Sequence, residues 1–231
     1  MGLVIKMCGN RSATDLVNAA DAGADLLGII FADAWRRIPV DYAKEIVAEL
    51  RGKADHVPPV VGVFVDQPVD EVNATADKVG LDMIQLHGTE TPDYWEQMER
   101  PLIICRRISS ALTAEQVEDE LEIVADFMQR TGSLSLIEPH VEGEPGGAGI
   151  SLDFTLAERL ARRYSFILAG GLGPGNVGEA IRAVRPWGVD VSSGVETDRV
   201  KDPSKVGRFV YEARRASTGA VGARPGGGTT R

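Results

Sequence analysis

Eight short apolar segments alternate with eight amphipathic segments over the first 216 residues of this 231-residue chain. Several of the apolar segments are hydrophobic almost without interruption, which is typical of parallel strands covered on both faces. The predicted strands begin at Leu3, Leu26, Val60, Met83, Leu102, Ser133, Ser165 and Gly188. Strands and helices in strict alternation predict a single (β/α)8 TIM barrel, with a doubly wound open sheet as the alternative.

The ends of the amphipathic segments carry helix signals. Ser12 is a predicted N-cap with Asp15 three residues later, and Gly23 is a predicted helix terminator. From Ser217 the chain reads "STGAVGARPGGGTTR", which is rich in glycine and other small residues. We therefore expect one barrel domain over residues 1–216 and a disordered tail over 217–231.

Charge and cysteine content exclude several classes of protein. A formal charge of −9 argues against a nucleic-acid-binding surface, which needs clustered basic residues. Cys8 and Cys105 are the only cysteines and form no CxxC pair, so neither a disulfide framework nor zinc is predicted. Without a signal-peptide pattern or a long apolar run, we expect a soluble cytoplasmic protein with no membrane partner.

Chemistry in a barrel of this kind is found where the strands end. Cys8 ends the first predicted strand and is followed by Gly9. A buried, inert cysteine is the ordinary alternative, but this position favours a reactive thiol. His87 ends the fourth strand, where a structural role and a functional role are both open.

Three glycine-bearing loops follow the last three strands, over residues 144–149, 169–177 and 189–196. Glycines let backbone N–H groups approach an anion, so the loops predict a site for a phosphate monoester. After the second strand, Arg36 and Arg37 follow Trp35. A guanidinium there could bind a carboxylate, although solvated surface charge is the usual role of such a pair.

From about Ile5 to Phe209 the chain resembles the phosphoribosylanthranilate isomerase family in the order and spacing of its motifs. The motifs are "IKMCG", "GADLLGIIF", "VGVFVDQ", "IQLHG", "GGAG", "LAGGLGPGNV", "VRPWGVDVSSGVE" and "KDPSKV". The resemblance implies an Amadori rearrangement in tryptophan biosynthesis, from N-(5′-phosphoribosyl)anthranilate to 1-(2-carboxyphenylamino)-1-deoxyribulose 5-phosphate. It further implies a monomer or homodimer that uses one general acid and one general base, with no metal and no cofactor.

The resemblance also implies catalytic roles. Cys8 matches the family's base, which removes the C2′ proton, and Gly9 would leave room for the sugar. The family's acid, an aspartate at the end of the sixth strand, protonates the ribose ring oxygen, and this chain has Glu138 there. Glu142 and Glu144 in the following loop are alternative acids, with solvated loop charge as the other interpretation.

Binding roles follow from the same resemblance. Arg37 matches the arginine that binds the anthranilate carboxylate, and Asp190 and His87 match supporting residues near the sugar. Ala148 replaces a hydroxyl residue of the family's phosphate loop. The backbone amides expected to hold the phosphate lie around Gly147, Gly170, Gly171, Ser193 and Gly194.

Other functions remain open at this stage. A barrel paralogue that binds a sugar phosphate without turnover is the main alternative, favoured by Glu138 and Ala148. A metal-dependent ribulose-phosphate epimerase would need more ligands than the three histidines His56, His87 and His140 supply. An indoleglycerol-phosphate synthase needs a catalytic lysine on a strand, and Lys6 is the only lysine in the predicted strands.

Overall fold

The computed structural model describes residues 2–53, 57–109, 112–140 and 154–220. Eight parallel strands close into a barrel in the order β1 to β8, so the predicted barrel is confirmed and the open-sheet alternative is wrong. The strands are β1 (Val4–Met7), β2 (Leu26–Ile30), β3 (Val60–Phe64), β4 (Met83–Leu86), β5 (Leu102–Ser109), β6 (Leu134–His140), β7 (Ile167–Leu168) and β8 (Gly188–Val191).

Helices connect the strands and form the outer layer. They are α1 (Ala13–Asp21), α2 (Val40–Lys53), α3 (Val69–Val79), α4 (Pro92–Trp95), α5 (Ala114–Thr131), α6 (Phe154–Ala161), α7 (Val177–Val184) and α8 (Pro203–Ala220). A one-turn 3-10 helix (Ser193–Val195) and a small hairpin of β9 (Glu196–Thr197) and β10 (Val200–Lys201) follow β8. In the described part of the chain, no helix is long and apolar enough to cross a bilayer.

The predicted boundaries of α1 agree with the structure, whereas α8 continues past its predicted end. Ser12 caps α1 by accepting a hydrogen bond from the Asp15 amide at 3.1 Å. We expected the tail to begin at Ser217, but α8 extends to Ala220. The hydroxyls of Ser217 and Thr218 bond back to carbonyls of the preceding turn, at 2.8 and 2.9 Å, so these polar residues fit within the helix. Residues 221–231 lie outside the described residues.

Alternation along the strands separates two hydrophobic layers. One layer packs the outer faces of the strands against the helices and holds most of the buried side chains. The other lies inside the barrel and contains Leu26, Val61, Ile103, Cys105, Leu136, Ile167 and Ala169. Since successive strand residues point to opposite faces, Glu138 shares the inward face with Leu136, two residues earlier. The carboxyl group of Glu138 therefore lies inside the barrel, next to the inner hydrophobic layer.

The barrel closes by pairing its first strand with its last. The register of β1 and β8 sets Lys6 opposite Asp190 and Met7 opposite Val191. The Cys8 amide continues this pairing by donating to the Val191 carbonyl at 2.8 Å. Closure therefore brings residues about 180 positions apart in sequence to the same end of the barrel.

Candidate active site

Cys8 lies just beyond β1 and is buried, with 6% of its surface exposed. The neighbouring strand has a glycine opposite this thiol: a methyl group at Gly28 would lie 2.8 Å from Cys8 Sγ and 3.2 Å from Lys6 Nζ. Gly28 is therefore required for space, because a larger residue would displace both functional groups. Gly9, expected to leave room for the sugar, has φ of +73° and packs against Arg36 and Ser192.

A buried ion pair lies beside this cysteine. Lys6 is fully buried, and its Nζ donates to Asp190 Oδ1 at 2.8 Å. Burial acts to lower the pKa of Lys6, but attraction to Asp190 and to Cys8 outweighs it and raises that pKa, so Lys6 stays charged. Lys6 therefore places a fixed positive charge beside Cys8. Asp190 is thus the counter-ion of Lys6.

Glu138 and His87 meet on the opposite side of the barrel mouth. Glu138 is partly buried, and its Oε2 lies 2.9 Å from His87 Nε2. His87 Nδ1 lies 2.9 Å from the Gln85 amide nitrogen, and Cys105 Sγ lies 3.7 Å from His87 Nε2. Burial acts to lower the pKa of His87, but Cys105 and Glu138 outweigh it and raise that pKa well above its usual value. His87 therefore fixes the orientation of Glu138.

The loops after β7 and β8 enclose a cavity of about 50 Å³ next to Glu138. Its lining residues are Glu138, Ala169, Gly170, Gly171, Leu172, Asp190, Val191, Ser192 and Ser193. Gly170 and Gly171 have φ of +90° and +61°, a conformation that side chains disfavour. Asn176 fixes the loop by accepting from the Gly173 amide and donating to the Gly171 carbonyl. The cavity thus joins the predicted acid to the predicted phosphate loops.

Gly194 has a steric role as well as its predicted place in the phosphate loop. A methyl group at this residue would lie 1.9 Å from the Leu172 carbonyl oxygen, a backbone atom of the loop after β7. The two phosphate loops can touch only because residue 194 has no side chain. Contact between these loops therefore depends on Gly194, for which the sequence had predicted only a role in phosphate binding.

The structure brings Arg36 to the site, whereas Arg37 is exposed. Arg36 stacks over Trp35 at 4.1 Å, and a methyl group at Gly9 would lie 2.7 Å from Arg36 Cδ. Its Nε and Nη2 each donate to Glu196, both at 2.9 Å. A guanidinium has five N–H donors in a planar fork. Glu196 uses two of them, so the remaining donors, at the outer edge of the guanidinium, can bind a second carboxylate.

The remaining predicted residues of the β6 loop are Glu142, Glu144, Gly147 and Ala148, which lie outside the described residues. Sequence reasoning gave Lys6 and Gly28 no role in the site, and it assigned the substrate carboxylate to Arg37 and not to Arg36. A lysine inside an otherwise apolar strand and a glycine in the middle of "LLGII" were the signals available for the first two. Arg36 and Arg37 are adjacent arginines, and sequence alone did not indicate which one turns inward.

Glu196 is held between two cations at the edge of the site. Besides Arg36, it accepts from Lys201 Nζ at 3.0 Å, and its side chain is 8% exposed. Burial acts to raise the pKa of Glu196, but the bonds to Arg36 and Lys201 outweigh it and lower that pKa below its usual 4.5. Burial also lowers the pKa of Lys201, and the attraction to Glu196 offsets this effect only in part. The ionised form of Glu196 therefore stabilises the folded state.

We expect Glu196→Gln to lower the free energy of unfolding at pH 7 by about 1–3 kcal/mol, because two cations lose their counter-ion. A lowered pKa in the folded state means that the contribution is present above pH 4.5 and is lost as pH falls through that lowered value. The difference between wild type and variant, measured by urea denaturation, should shrink in this acidic range. Glu49→Gln, at an exposed pair with Lys53, is the control and should cost about 0.5 kcal/mol or less. An equal difference at pH 7 and at pH 3.5 would contradict the prediction.

Comparison with protein families matches residues 5–212 to the model for N-(5′phosphoribosyl)anthranilate (PRA) isomerase. An N-(5′-phosphoribosyl)anthranilate isomerase of Roseiflexus sp. (strain RS-1) is 42% identical over 216 residues, which cover 92% of this chain and 98% of the relative. The isomerase of Desulforudis audaxviator is 40% identical over the same shares of both chains.

Solved structures give a similar picture. The phosphoribosyl anthranilate isomerase of Thermotoga maritima superposes with a TM-score of 0.76 and 27% identity, over 92% of this chain and 99% of that one. A second isomerase structure, in complex with reduced 1-(o-carboxyphenylamino)-1-deoxyribulose 5-phosphate, gives a TM-score of 0.71 and 25% identity over the same shares. Sequence and fold thus agree over nearly the full barrel.

Proposed function

Because this chain belongs to the N-(5′-phosphoribosyl)anthranilate isomerase family, we propose that it converts N-(5′-phosphoribosyl)anthranilate into 1-(2-carboxyphenylamino)-1-deoxyribulose 5-phosphate in tryptophan biosynthesis. The observation that carries the proposal is the shared cavity: Glu138 lines the same space as Gly170, Gly171 and Ser193. A phosphate held on these loops would keep the attached sugar beside the carboxyl group.

The rearrangement requires one proton to be delivered and another to be removed. In the proposed mechanism, Glu138 protonates the ribose ring oxygen, and the sugar opens to a Schiff base. Cys8 then removes the C2′ proton as a thiolate supported by Lys6, and the resulting enolamine tautomerises to the ketone. His87 orients Glu138 through its 2.9 Å contact, and Asp190 orients Lys6.

Substrate anions would be bound at two places. The phosphate is proposed to rest on backbone amides around Gly170, Gly171, Ser193 and Gly194, with Gly147 as a further donor. For the anthranilate carboxylate, the geometry favours the outer edge of Arg36 over the exposed Arg37. This assignment replaces the residue that the motif alignment had indicated.

The direct test is an assay of the purified protein with freshly generated phosphoribosylanthranilate, in which turnover is followed as loss of the anthranilate-type fluorescence. Turnover in the presence of a chelator would support the proposed isomerase. Binding of a ribose-phosphate analogue without any turnover would instead support the non-catalytic barrel paralogue.

Both free cysteines are buried and unpaired, which suits the reducing cytoplasm we propose as its location. Size-exclusion chromatography with light scattering would decide between monomer and homodimer.

We expect Arg36→Ala to raise KM by a factor of about 10–100, because a charge-assisted pair with the substrate carboxylate contributes about 1.5–3 kcal/mol. Arg37→Ala is the matched control at the adjacent residue, and its KM should stay within about threefold of wild type, as for a surface charge. Because Arg36→Ala also leaves Glu196 without this partner, Arg36→Lys tests the role with a charge retained and the planar fork removed. A larger rise in KM for Arg37→Ala than for either Arg36 variant would restore Arg37 to the role.

A further inference from the structure

Three side chains of different chemistry converge where β4, β5 and β6 approach the barrel mouth. His87, Cys105 and Glu138 each offer one ligand atom, and these atoms all lie within 4.8 Å of one another. Cys105 is buried with 2% of its surface exposed, and it takes no part in the proposed mechanism. The cluster supplies one nitrogen, one sulfur and one carboxylate oxygen, a donor set typical of zinc sites.

One separation within the cluster matches that around a tetrahedral metal ion, and a second is shorter. With bonds of about 2.3 Å to sulfur and about 2.0–2.2 Å to nitrogen and oxygen, tetrahedral geometry sets N···S at about 3.6 Å and N···O at about 3.4 Å. The observed Cys105 Sγ to His87 Nε2 distance is 3.7 Å. The His87 Nε2 to Glu138 Oε2 distance is 2.9 Å, which must open by about 0.5 Å to admit the ion.

Gln85 is placed to support His87 as a metal ligand. This residue is 2% exposed, and its amide nitrogen lies 2.9 Å from His87 Nδ1. Its Oε1 is buried and has no hydrogen-bond partner within the described residues. A histidine that binds a metal through Nε2 keeps its proton on Nδ1 and donates it to an oxygen. Rotating the Gln85 amide supplies that oxygen and satisfies the unpartnered atom.

We infer that His87, Cys105 and Glu138 form an inhibitory site for a thiophilic divalent cation such as Zn²⁺. The inhibitory part rests on the proposed function, in which Glu138 is the acid. On binding, two protons are released to solvent, one from the Cys105 thiol and one from the hydrogen bond between His87 Nε2 and Glu138 Oε2. The thiolate, the imidazole and the carboxylate then each donate an electron pair. The Glu138 oxygen that binds the ion then cannot deliver a proton to the sugar, so turnover stops until the ion leaves.

The three ligand atoms determine which cations the cluster can bind. Sulfur and imidazole ligands favour Zn²⁺ and other soft or borderline ions, whereas Mg²⁺ and Ca²⁺ require oxygen ligands. Glu138 lines the phosphate-side cavity of about 50 Å³, so an ion reaches the cluster from the barrel mouth. With three protein ligands, the fourth position is left for water or a substrate oxygen.

Co²⁺ is the probe for binding, because it replaces Zn²⁺ and absorbs light when a thiolate coordinates it. We expect the wild-type protein to bind one Co²⁺ with a thiolate-to-metal band. Cys8→Ser, which removes the other thiol, should keep this band, whereas Cys105→Ser should lose it and bind Co²⁺ at least tenfold more weakly. Cys105→Ala is the second variant in case a hydroxyl disturbs the inner layer, and circular dichroism checks the fold of each.

Inhibition is measured separately with Zn²⁺ and a chelator. Zn²⁺ should inhibit wild-type turnover reversibly, and the concentration for half inhibition should rise at least tenfold in Cys105→Ser at unchanged basal activity. A missing band in wild type, or a band that depends on Cys8 and not on Cys105, would overturn the site. A band that depends on Cys105 with turnover insensitive to Zn²⁺ would overturn the inhibition. Because the Co²⁺ spectrum needs no turnover, an inactive wild-type protein would contradict the isomerase proposal and leave the metal site testable.

Discussion

Replacing Cys8 with serine should lower kcat by a factor of about 10²–10⁴, the usual contribution of a positioned general base. A serine hydroxyl is far less acidic than a thiol, so Lys6 cannot hold it in the anionic form at neutral pH. Serine is also close to cysteine in size, so it fits against Gly28 without a new collision. Steady-state kinetics of the fluorescence assay would measure the loss.

The matched control for this prediction is the second cysteine. Cys105→Ser changes the same chemical group inside the same barrel and should leave kcat within about twofold of wild type. The Cys8→Ser protein should also bind reduced 1-(o-carboxyphenylamino)-1-deoxyribulose 5-phosphate as tightly as wild type does, since the proposed phosphate loops and Arg36 are unchanged. A Cys8→Ser enzyme with wild-type kcat would remove Cys8 from the role of base.

Glu138→Gln should also lower kcat by about 10²–10⁴, because an amide keeps the shape of the side chain but cannot deliver the proton. Glu138→Asp is informative here, since the family has aspartate at this position. The shorter side chain withdraws the carboxyl by about one bond length, and a displacement of about 1 Å can cost about 10²-fold in rate. We therefore expect Glu138→Asp to lower kcat, although less than Glu138→Gln does.

Two glutamates of the following loop serve as controls for the acid. Glu142→Gln and Glu144→Gln should have kcat values near wild type if Glu138 is the proton donor. Activity that survives in Glu138→Gln and collapses in one of these two variants would transfer the role to that loop residue. The pH dependence of kcat/KM gives an independent check. The limb of the pH profile that belongs to the general acid should be absent in the variant that lacks the true proton donor.

The barrel itself could be predicted from sequence because its strands are nearly continuous apolar runs bounded by polar residues. Strand β2 reads "LLGII" and β3 reads "VVGVF", and no helical period competes with either. The end of α8 could not be predicted, since Ser217 and Thr218 resemble the start of a polar tail until their hydroxyls are seen bonded to the helix backbone. Local composition could not reveal that contact.

The candidate site was predicted in part for a similar reason. Strand ends indicated Cys8 and His87, and the family resemblance indicated Glu138. The choice of Arg36 over Arg37 depends on Glu196, which is 160 residues away. Cys105 joins His87 and Glu138 only when the inward faces of three neighbouring strands are known. Such pairings depend on strand register and loop direction, which a single sequence does not specify.

The pairing of β1 with β8 has a consequence for synthesis of the protein. Lys6 is translated 184 residues before Asp190, yet the two side chains form an ion pair that closes the barrel. Until β8 has been translated, the edge of β1 that later closes the barrel has no partner strand, and Lys6 has no buried counter-ion. The proposed base, Cys8, therefore gains its complete electrostatic environment only after β8 has been translated. Translation products that stop before β8 would accordingly be inactive.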